Sequence, residues 1–253
     1  MTWQTVWCTG AGKGIGRALV LRLAREGCRV AVSARTEGDL VALAAEAKGC
    51  SGEVLPYPLD VTDEEAVTRA VDNIEKSIGP LDLVVLNAGN HIPVRAEAFS
   101  VKPFRDLVEI NIMGVVHGLS AVLPRFIERR RGHVAIVASV AGYRGLPTAA
   151  AYGASKAALI NMAESLKPEL DRYGVRISVV NPGFVKTPLT DRNEFPMPFL
   201  IGADDAARRI VRGLRRGRFE IAFPRRFVWG LKVLRCLPYG LYFPLTRRLV
   251  TES

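Results

Sequence analysis

The sequence predicts an α/β protein with a doubly wound parallel sheet of about seven strands and helices on both faces. Short apolar, β-branched runs alternate with longer stretches of helical periodicity along most of the chain. Several of the short runs are almost continuously apolar, which is typical of parallel strands covered by helices on both sides. The repeated order of strand and helix favours parallel crossover connections within one sheet.

The predicted elements follow one another without an internal repeat or a low-complexity linker. The predicted strands are residues 4–9, 29–33, 53–58, 81–86, 133–138, 176–180 and 219–223. The predicted helices are residues 15–26, 37–47, 64–78, 103–129, 152–172 and 203–216. Thr62 and Glu65 have the spacing of a capping box at the third helix, and Pro168 is expected to kink or end the fifth.

Composition favours a single large core, because the 253 residues are 49% hydrophobic and 24% charged. We expect one domain over residues 1–224 and a basic, apolar extension over residues 225–253. No signal peptide is evident, and the best candidate for a membrane span, residues 227–245, is interrupted by charges and prolines. A cytoplasmic protein is therefore expected. The four cysteines lack metal-ligand spacing, so no metal site is predicted.

A glycine-rich turn joins the first strand to the first helix. Its residues are Thr9, Gly10, Ala11, Gly12, Lys13, Gly14, Ile15 and Gly16. Glycines allow a tight turn and the close approach of a pyrophosphate, and the helix N-terminus offers unpaired N–H groups with partial positive charge. The position between strand and helix favours a Rossmann-type dinucleotide site over an ordinary glycine-rich turn.

The second predicted strand ends without the acid that holds the ribose hydroxyls of NAD in many such folds. Arg35 follows this strand instead, and Lys13 in the glycine-rich turn is a second cation within reach. Paired cations make charge-assisted bonds to a 2′-phosphate, which a carboxylate would repel. The expected cofactor is therefore NADP(H). The alternative for Arg35 is an ordinary surface cation at a strand end.

Further motifs follow in order along the chain. They are Asp60-Val61, Asn87-Ala88-Gly89, Asn111, Ser139, Tyr152-x-x-x-Lys156 and Pro182-Gly183. Together with the glycine-rich turn, this series resembles the short-chain dehydrogenase/reductase family over residues 5–223. The resemblance implies a Rossmann-type catalytic domain that moves a hydride between NADP(H) and a carbonyl or alcohol carbon. It also implies assembly as a homodimer or homotetramer.

The resemblance implies a catalytic group made of Asn111, Ser139, Tyr152 and Lys156. Tyr152 and Lys156 are four residues apart, on one face of a predicted helix. A neighbouring ammonium and a positive nicotinamide would lower the tyrosine pKa from about 10, so that Tyr152 acts as general acid in carbonyl reduction. Ser139 would orient the substrate oxygen, and Asn111 would anchor a water in a proton relay through Lys156.

The resemblance also implies cofactor contacts beyond the glycine-rich turn and Arg35. Asp60 and Val61 would touch the adenine, and Thr187 would bond the nicotinamide carboxamide. Lys156 would hold the ribose hydroxyls of the nicotinamide half. The remaining implied contacts are Asn87, Ala88, Gly89, Tyr152, Pro182, Gly183 and Val185.

The substrate wall is expected in residues 188–202, where a methionine and several aromatic residues suggest an apolar wall or lid. The loop before Tyr152 is expected to add to it. The predicted pocket residues are Tyr143, Leu146, Met197 and Phe199, and Phe195 lies in the same segment. The alternative is that these residues pack on the domain without touching a ligand.

Positive charge is concentrated at the end of the chain, which carries twelve basic and three acidic residues from Asp205 onward. In residues 227–248, apolar and aromatic side chains alternate with arginine and lysine, as in segments that bind membrane surfaces. We expect peripheral contact with an anionic membrane and a lipophilic ketone or aldehyde as substrate. The alternatives are a tail that packs on its own domain or across a dimer.

Two other classes of protein account for part of the sequence. An NADP-binding sensor or scaffold without turnover would keep the glycine-rich turn, but the complete catalytic group argues against it. A nucleic-acid binder would use the basic tail, but no recognition motif supports it, and no nucleic-acid partner is expected. An NADPH-dependent carbonyl reductase is the favoured interpretation.

Overall fold

A computed structural model describes residues 3–192 and 197–248. Within these residues, a sheet of seven strands has the order β3-β2-β1-β4-β5-β6-β7 and is parallel throughout. The strands are β1 (Thr5–Thr9), β2 (Arg29–Ser33), β3 (Glu53–Pro56), β4 (Leu83–Leu86), β5 (Gly132–Val137), β6 (Val175–Pro182) and β7 (Glu220–Phe223). The predicted doubly wound fold is confirmed.

Helices cover both faces of the sheet. In the described residues they are α1 (Gly14–Arg25), α2 (Glu37–Glu46), α3 (Glu64–Ile78), α4 (Val101–Leu107), α5 (Gly114–Glu128), α6 (Ala150–Asp171), α7 (Ala203–Arg215), α8 (Arg225–Cys236) and α9 (Tyr239–Arg247). The core on one face includes Leu19 of α1 and Ile210 of α7. The core on the other includes Ile74 of α3 and Phe126 of α5. The strands are therefore buried on both sides, which explains their continuous apolar sequence.

The order of the strands reverses between β1 and β4. In an open parallel sheet, the crevice beyond the carboxyl ends of the strands at such a point is the usual ligand site. β1 ends at Thr9 and β4 ends at Leu86. The fold therefore places the glycine-rich turn beside the residues that follow β4.

Two local predictions about helix ends need correction. The N-cap of α3 is Asp63, whose carboxylate accepts the Ala66 N–H at 2.8 Å. The Thr62 hydroxyl instead donates to Asp60 at 2.9 Å, so the capping box predicted at Thr62 is wrong by one residue. Pro168 does not itself end the helix, because it lies in the last turn of α6, which continues to Asp171.

The helix predicted over residues 103–129 contains a break in regularity. α4 and α5 are joined by a π-helical segment, Val108–Met113. The whole run Val101–Glu128 is, by length and composition, the one described helix that could cross a membrane, with mean hydropathy 1.5 over its most apolar window. Half of that window is buried inside the protein. The expectation that residues 227–245 are the best candidate is therefore wrong, because a helix packed in an α/β layer is apolar on more than one side.

The capping arrangement of α3 gives a first prediction. Asp63→Ala removes the acceptor for an N-terminal N–H group and should lower the free energy of unfolding by about 1 kcal/mol. Thr62→Ala is the matched control at the neighbouring exposed position and should change it by less than about 0.5 kcal/mol. Urea unfolding of the two variants measures both values, and an equal loss in the two would contradict Asp63 as the cap.

Candidate active site

The glycine-rich turn leaves no room for side chains where it passes the end of β4. Gly10 and Gly14 have φ of +64° and +57°, a region that favours glycine. A Cβ atom on Gly10 would lie 2.7 Å from the Cα of Ala88, and one on Gly16 would overlap the carbonyl oxygen of Gly10. The backbone is therefore packed as closely as a pyrophosphate cradle requires.

The N-terminus of α1 is open to an anion. Lys13 is the N-cap residue and makes no side-chain capping bond, and the first turn contains no acid. The amide N–H groups of that turn therefore keep their partial positive charge for a ligand. Glycine packing and an uncapped helix end are both features that fit the phosphates of a dinucleotide.

Asn87 ties the end of β4 to the glycine-rich turn. Its side-chain N–H₂ donates to the carbonyl oxygens of Thr9 and Gly10, both at 3.0 Å. In return, the Thr9 hydroxyl accepts the N–H groups of Asn87 at 3.0 Å and Ala88 at 3.1 Å. Asn87 and Ala88 therefore hold the end of β4 against the glycine-rich turn, in addition to their predicted contact with the cofactor.

The two predicted phosphate-binding cations have different surroundings. Ala11 donates its N–H to the carbonyl oxygen of Ser33 at 3.2 Å, so the end of β2 lies against the glycine-rich turn, and Arg35 just beyond it is exposed. Lys13 lies 3.3 Å from a carboxylate oxygen of Asp39 in the first turn of α2. Asp39 was not among the predicted site residues, and its position four residues after Arg35 was the available signal in the sequence.

The two predicted adenine contacts lie at the start of α3. Val61 is buried, and its carbonyl oxygen contacts Nδ1 of His117 at 2.9 Å. Asp60 is exposed, and its carboxylate accepts the backbone N–H of Thr62 at 3.0 Å. Neither residue lines the cleft that opens beyond the carboxyl ends of the strands.

A cleft of about 330 Å³ opens beyond the carboxyl ends of the strands. It brings together three of the four predicted catalytic residues, Ser139, Tyr152 and Lys156. The predicted cofactor residues in its lining are Gly10, Lys13, Gly14, Ile15, Asn87, Gly89, Pro182, Gly183, Val185 and Thr187. Four further predicted cofactor residues are not in the lining but belong to segments that line the cleft or lie next to it: Gly12, Gly16, Arg35 and Ala88.

Lys156 is held deep in the cleft. Its ammonium donates to the carbonyl oxygen of Val137 at 3.0 Å and lies 5.7 Å from the centre of the Tyr152 ring. Burial lowers the pKa of Lys156 to about 8. The residue is therefore mostly charged at neutral pH.

The pKa of Tyr152 departs from the expectation. Burial raises it above its ordinary value, and a hydrogen bond from Ser139 acts in the opposite direction. The groups of the chain alone therefore do not produce the lowered value that the sequence analysis assigned to the nearby ammonium. Lys156 does not offset this effect of burial, although its ammonium lies 5.7 Å from the centre of the ring.

Asn111 lies in the π-helical segment and is fully buried. Its side-chain oxygen accepts the Asn90 N–H at 2.8 Å, and its N–H₂ donates to the Asn90 carbonyl at 3.0 Å and to Ser155 Oγ at 2.9 Å. Ser155 in turn donates to the Tyr152 carbonyl at 2.7 Å. Asn111 is thus coupled to the helix of Tyr152 through a serine that the sequence analysis missed.

His91 is a second residue that the sequence analysis missed. Its ring meets the ring of Tyr152 edge to face, with 4.8 Å between the centroids. Burial lowers the pKa of His91, so the imidazole is neutral at physiological pH. The only sequence signal was its position two residues after the Asn87-Ala88-Gly89 motif.

The structure corrects the prediction that Tyr143 lines the substrate pocket. Tyr143 is buried, and its hydroxyl donates to Glu220 at 2.5 Å, in a separate cavity of about 180 Å³. Although burial opposes it, hydrogen bonds from Lys232 and Tyr143 hold the pKa of Glu220 below its ordinary value. The side chain therefore points away from the cleft, toward a charged partner on β7.

The other predicted pocket residues also lie outside the lining of the cleft. Phe199 is exposed, with its ring centroid 6.2 Å from that of Phe227, which packs on Gly183 at the cleft edge. Leu146 and Met197 are partly buried. Phe195 lies outside the described residues. Among the described residues of the segment 188–202, those that line the cleft are Pro188, Leu189 and Thr190.

Known proteins resemble the chain along most of its length. A family model described as short chain dehydrogenase matches residues 4–195. An uncharacterized oxidoreductase of Myxococcus xanthus is 41% identical over 249 residues, which is 98% of each chain. The 3-oxoacyl-(acyl-carrier-protein) reductase of Thermotoga maritima is 34% identical, with 73% of this chain and 75% of the relative aligned.

Solved structures share the fold. An alcohol dehydrogenase of Thermococcus sibiricus, complexed with 5-hydroxy-NADP, has a TM-score of 0.78 and 28% identity, covering 87% of this chain and 95% of that one. A short-chain dehydrogenase/reductase of Burkholderia phymatum, in complex with NAD, has a TM-score of 0.85 over 99% of this chain and 97% of that one, at 24% identity.

The fold and the relatives define an oxidoreductase with a site for a nicotinamide cofactor. The chain belongs to the short-chain dehydrogenase/reductase family.

The burial of Lys156 predicts an unusual dependence of stability on pH. Between pH 8 and 10.5 the folded protein loses the Lys156 proton while the unfolded chain keeps it. The free energy of unfolding therefore rises with pH, by about 3 kcal/mol at about 1.4 kcal/mol per pKa unit. Lys156→Met has no ammonium to titrate. The free energy of unfolding of the native protein, measured with urea, should therefore rise by about 3 kcal/mol relative to that of the variant between pH 8 and pH 10.5.

The exposed residue Lys48 provides the control for loss of one positive charge. Lys48→Met is measured against the native protein at the same two pH values. A difference for Lys156→Met that stays constant with pH would show that Lys156 is not desolvated in the folded protein.

Proposed function

We propose that the protein is an NADPH-dependent reductase of ketones or aldehydes that also oxidises the corresponding alcohols. The observation that carries the proposal is the convergence of Ser139, Tyr152 and Lys156 on a cleft that begins at the glycine-rich turn. A nicotinamide cofactor, when bound, supplies or accepts the hydride. The residues of the chain hold the substrate oxygen and move its proton.

Tyr152 is the general acid that gives its proton to the substrate oxygen during reduction. Ser139 lies at the same place in the cleft; its hydroxyl accepts the Ala141 N–H at 3.1 Å, makes a long contact of 3.4 Å to the Pro182 carbonyl and bonds Tyr152. A substrate oxygen beside these two side chains would take the Ser139 proton in place of those acceptors. Lys156 holds the ribose hydroxyls, and its charge favours the phenolate that forms when Tyr152 loses its proton.

Asn111 completes a relay that returns a proton to Tyr152. A Cβ atom on Gly89 would lie 2.9 Å from Asn111 Oδ1 and 3.4 Å from Lys156 Nζ, so the glycine keeps open the space between these two groups. A water in that space would link the asparagine to the ammonium. Buried residues around it, Ser155 among them, keep Asn111 in one orientation.

NADPH is the proposed cofactor because Arg35 offers an exposed guanidinium at the end of β2. Asp39 partly offsets Lys13, so Arg35 carries most of the preference for a 2′-phosphate. Among the structural relatives, the more similar in sequence holds an NADP analogue and the other holds NAD. The fold thus accepts either cofactor, and the residues beside the ribose that carries the 2′-phosphate determine which of the two is preferred.

A hydrophobic substrate is proposed from the apolar side of the cleft. Pro188 and Leu189 form its wall, and a row of aromatic rings continues from it through Phe184 and Phe227, whose centroids are 5.4 Å apart. One relative is named as a reductase of a 3-oxoacyl substrate. We also propose assembly as a homodimer or homotetramer through the helices that hold Asn111 and Tyr152.

Turnover of a carbonyl series tests the proposed activity. NADPH oxidation is measured with ketones that run from short and polar to long-chain keto lipids. We expect kcat/KM to rise with chain length and to fall by at least about 100-fold in Tyr152→Phe, since the general acid is lost. Tyr143→Phe is the matched control, because its hydroxyl bonds Glu220 outside the cleft. Tight NADPH binding without turnover of any ketone would favour a sensor instead.

Exchange of single charges tests the cofactor preference. Arg35→Ala removes a charged hydrogen bond worth about 1.5–3 kcal/mol and should raise KM for NADPH by about 10- to 100-fold, with little change for NADH. Asp39→Asn frees Lys13 and should lower KM for NADPH. Equal effects of either substitution on the two cofactors would show that neither residue reads the 2′-phosphate.

A further inference from the structure

The C-terminal helices α8 and α9, here named the α8–α9 hairpin, lie outside the sheet and are joined by Leu237 and Pro238. Few of their side chains are buried: Val228 joins the core beneath α8, and Tyr242 and Thr246 form the inner side of α9. All the remaining positions of α9 are exposed. The hairpin therefore uses a narrow stripe for packing and presents a wide outer face.

Arg144 fixes the hairpin to the domain. Its Nη1 donates to the carbonyl oxygens of Leu234, Arg235 and Leu237, at 2.7, 2.9 and 2.7 Å. Its guanidinium also lies 3.8 Å from the centre of the Tyr242 ring. These contacts occupy the C-terminal carbonyls of α8 and hold the two helices in a fixed relation. The outer face is therefore a defined surface.

Large apolar side chains cover that outer face. Trp229 is 64% exposed and Tyr239 is 69% exposed. The complete apolar set is Trp229, Val233, Tyr239, Leu241, Phe243 and Leu245. Tyr239 and Phe243 stack on each other at 5.3 Å, and the guanidinium of Arg144 lies 5.1 Å from the centre of the Tyr239 ring. Exposed patches of this kind mark surfaces that bind a partner.

The charge of the hairpin has a single sign. Residues 225–248 contain six cations and no carboxylate. Lys232 pairs with Glu220, but the described structure shows no salt bridge for the arginines, which are Arg225, Arg226, Arg235, Arg247 and Arg248. Arg235 lines the cavity of Tyr143 and Glu220, and the other four arginines lie at the start of α8 and at the end of α9. An apolar surface with these cations at its ends complements a partner that is both hydrophobic and anionic.

We propose that the outer face of the α8–α9 hairpin docks on an anionic lipid bilayer. Tryptophan and tyrosine lie favourably at the boundary between headgroups and acyl chains, and each nearby arginine contributes about 1 kcal/mol of attraction to acidic lipids. A second copy of the chain is disfavoured, because a two-fold contact would place the arginines against one another. The exposed aliphatic residues disfavour a nucleic acid.

Sedimentation with vesicles tests the docking surface independently of any enzymatic activity. The full chain is mixed with phosphatidylcholine vesicles that contain either no or about 30% phosphatidylserine, a typical acidic lipid. We expect binding to the acidic vesicles, weakened by salt. Arg247→Ala with Arg248→Ala should reduce the affinity about 30-fold, from about 1 kcal/mol for each arginine. Trp229→Ser should also weaken it.

The opposite edge of the sheet offers matched controls. Arg25 and Lys48 are exposed cations near β2 and β3, and Val41 is an exposed apolar residue of α2. Arg25→Ala with Lys48→Ala and the single change Val41→Ser should leave vesicle binding within about twofold of the native protein.

Tryptophan fluorescence gives a second measurement, because Trp3 and Trp7 are buried and Trp229 alone of the three is exposed. A blue shift on acidic vesicles that disappears in Trp229→Phe would locate the contact at α8. The proposal is overturned if acidic vesicles do not bind, or if the control pair weakens binding as much as the arginine pair. Tighter binding to duplex DNA, or self-association abolished by Trp229→Ser without vesicle binding, would also overturn it.

Discussion

The contact between the ends of β1 and β4 is the constraint on which the site depends. Asn87 bonds the carbonyl oxygens of Thr9 and Gly10, and a Cβ atom on Gly10 would collide with Ala88. The two strand ends are therefore held at a separation that only glycine permits. This separation directs the N-terminus of α1 into the crevice, and it sets the distance from the glycine-rich turn to the catalytic side of the cleft.

Local signals were sufficient for the strands, for the glycine-rich turn and for placing Tyr152 and Lys156 together in the cleft. A continuously apolar strand sequence indicates that the strand is buried on both faces. The four-residue spacing of Tyr152 and Lys156 places both on one side of α6. Neither inference requires knowledge of contacts between residues that are far apart in the sequence. Ser139 follows β5 in the sequence, and parallel strands bring such residues to a common edge. The fold and most of the cleft were predictable for this reason.

Contacts between distant parts of the chain were not predictable from one sequence. The Lys13–Asp39 ion pair joins a turn to a helix, and the Tyr143–Glu220 bond spans 77 residues. Tyr143 lies on a loop, where the sequence has no helical or strand periodicity from which the direction of a side chain could be predicted. Its position shortly before Tyr152 suggested that it faces the cleft, whereas its hydroxyl bonds Glu220 in the second cavity. The π-helical turn that buries Asn111 has no local signature either, since its extra residue is accommodated by packing.

The two interpretations of the C-terminal tail are compatible, because the tail has two sides. Arg144 lies on the loop between Ser139 and Tyr152, and it binds the end of α8 on the side away from the cleft. The inner stripe of the hairpin thus supports the loop between Ser139 and Tyr152, as a tail packed on its own domain would. The outer face presents the exposed aromatic and basic residues from which the sequence predicts contact with a membrane surface. Packing on the domain buries only Val228, Tyr242 and Thr246 of the two helices and leaves the outer side chains exposed to solvent. Burial of the inner stripe and docking of the outer face therefore use different residues and do not compete.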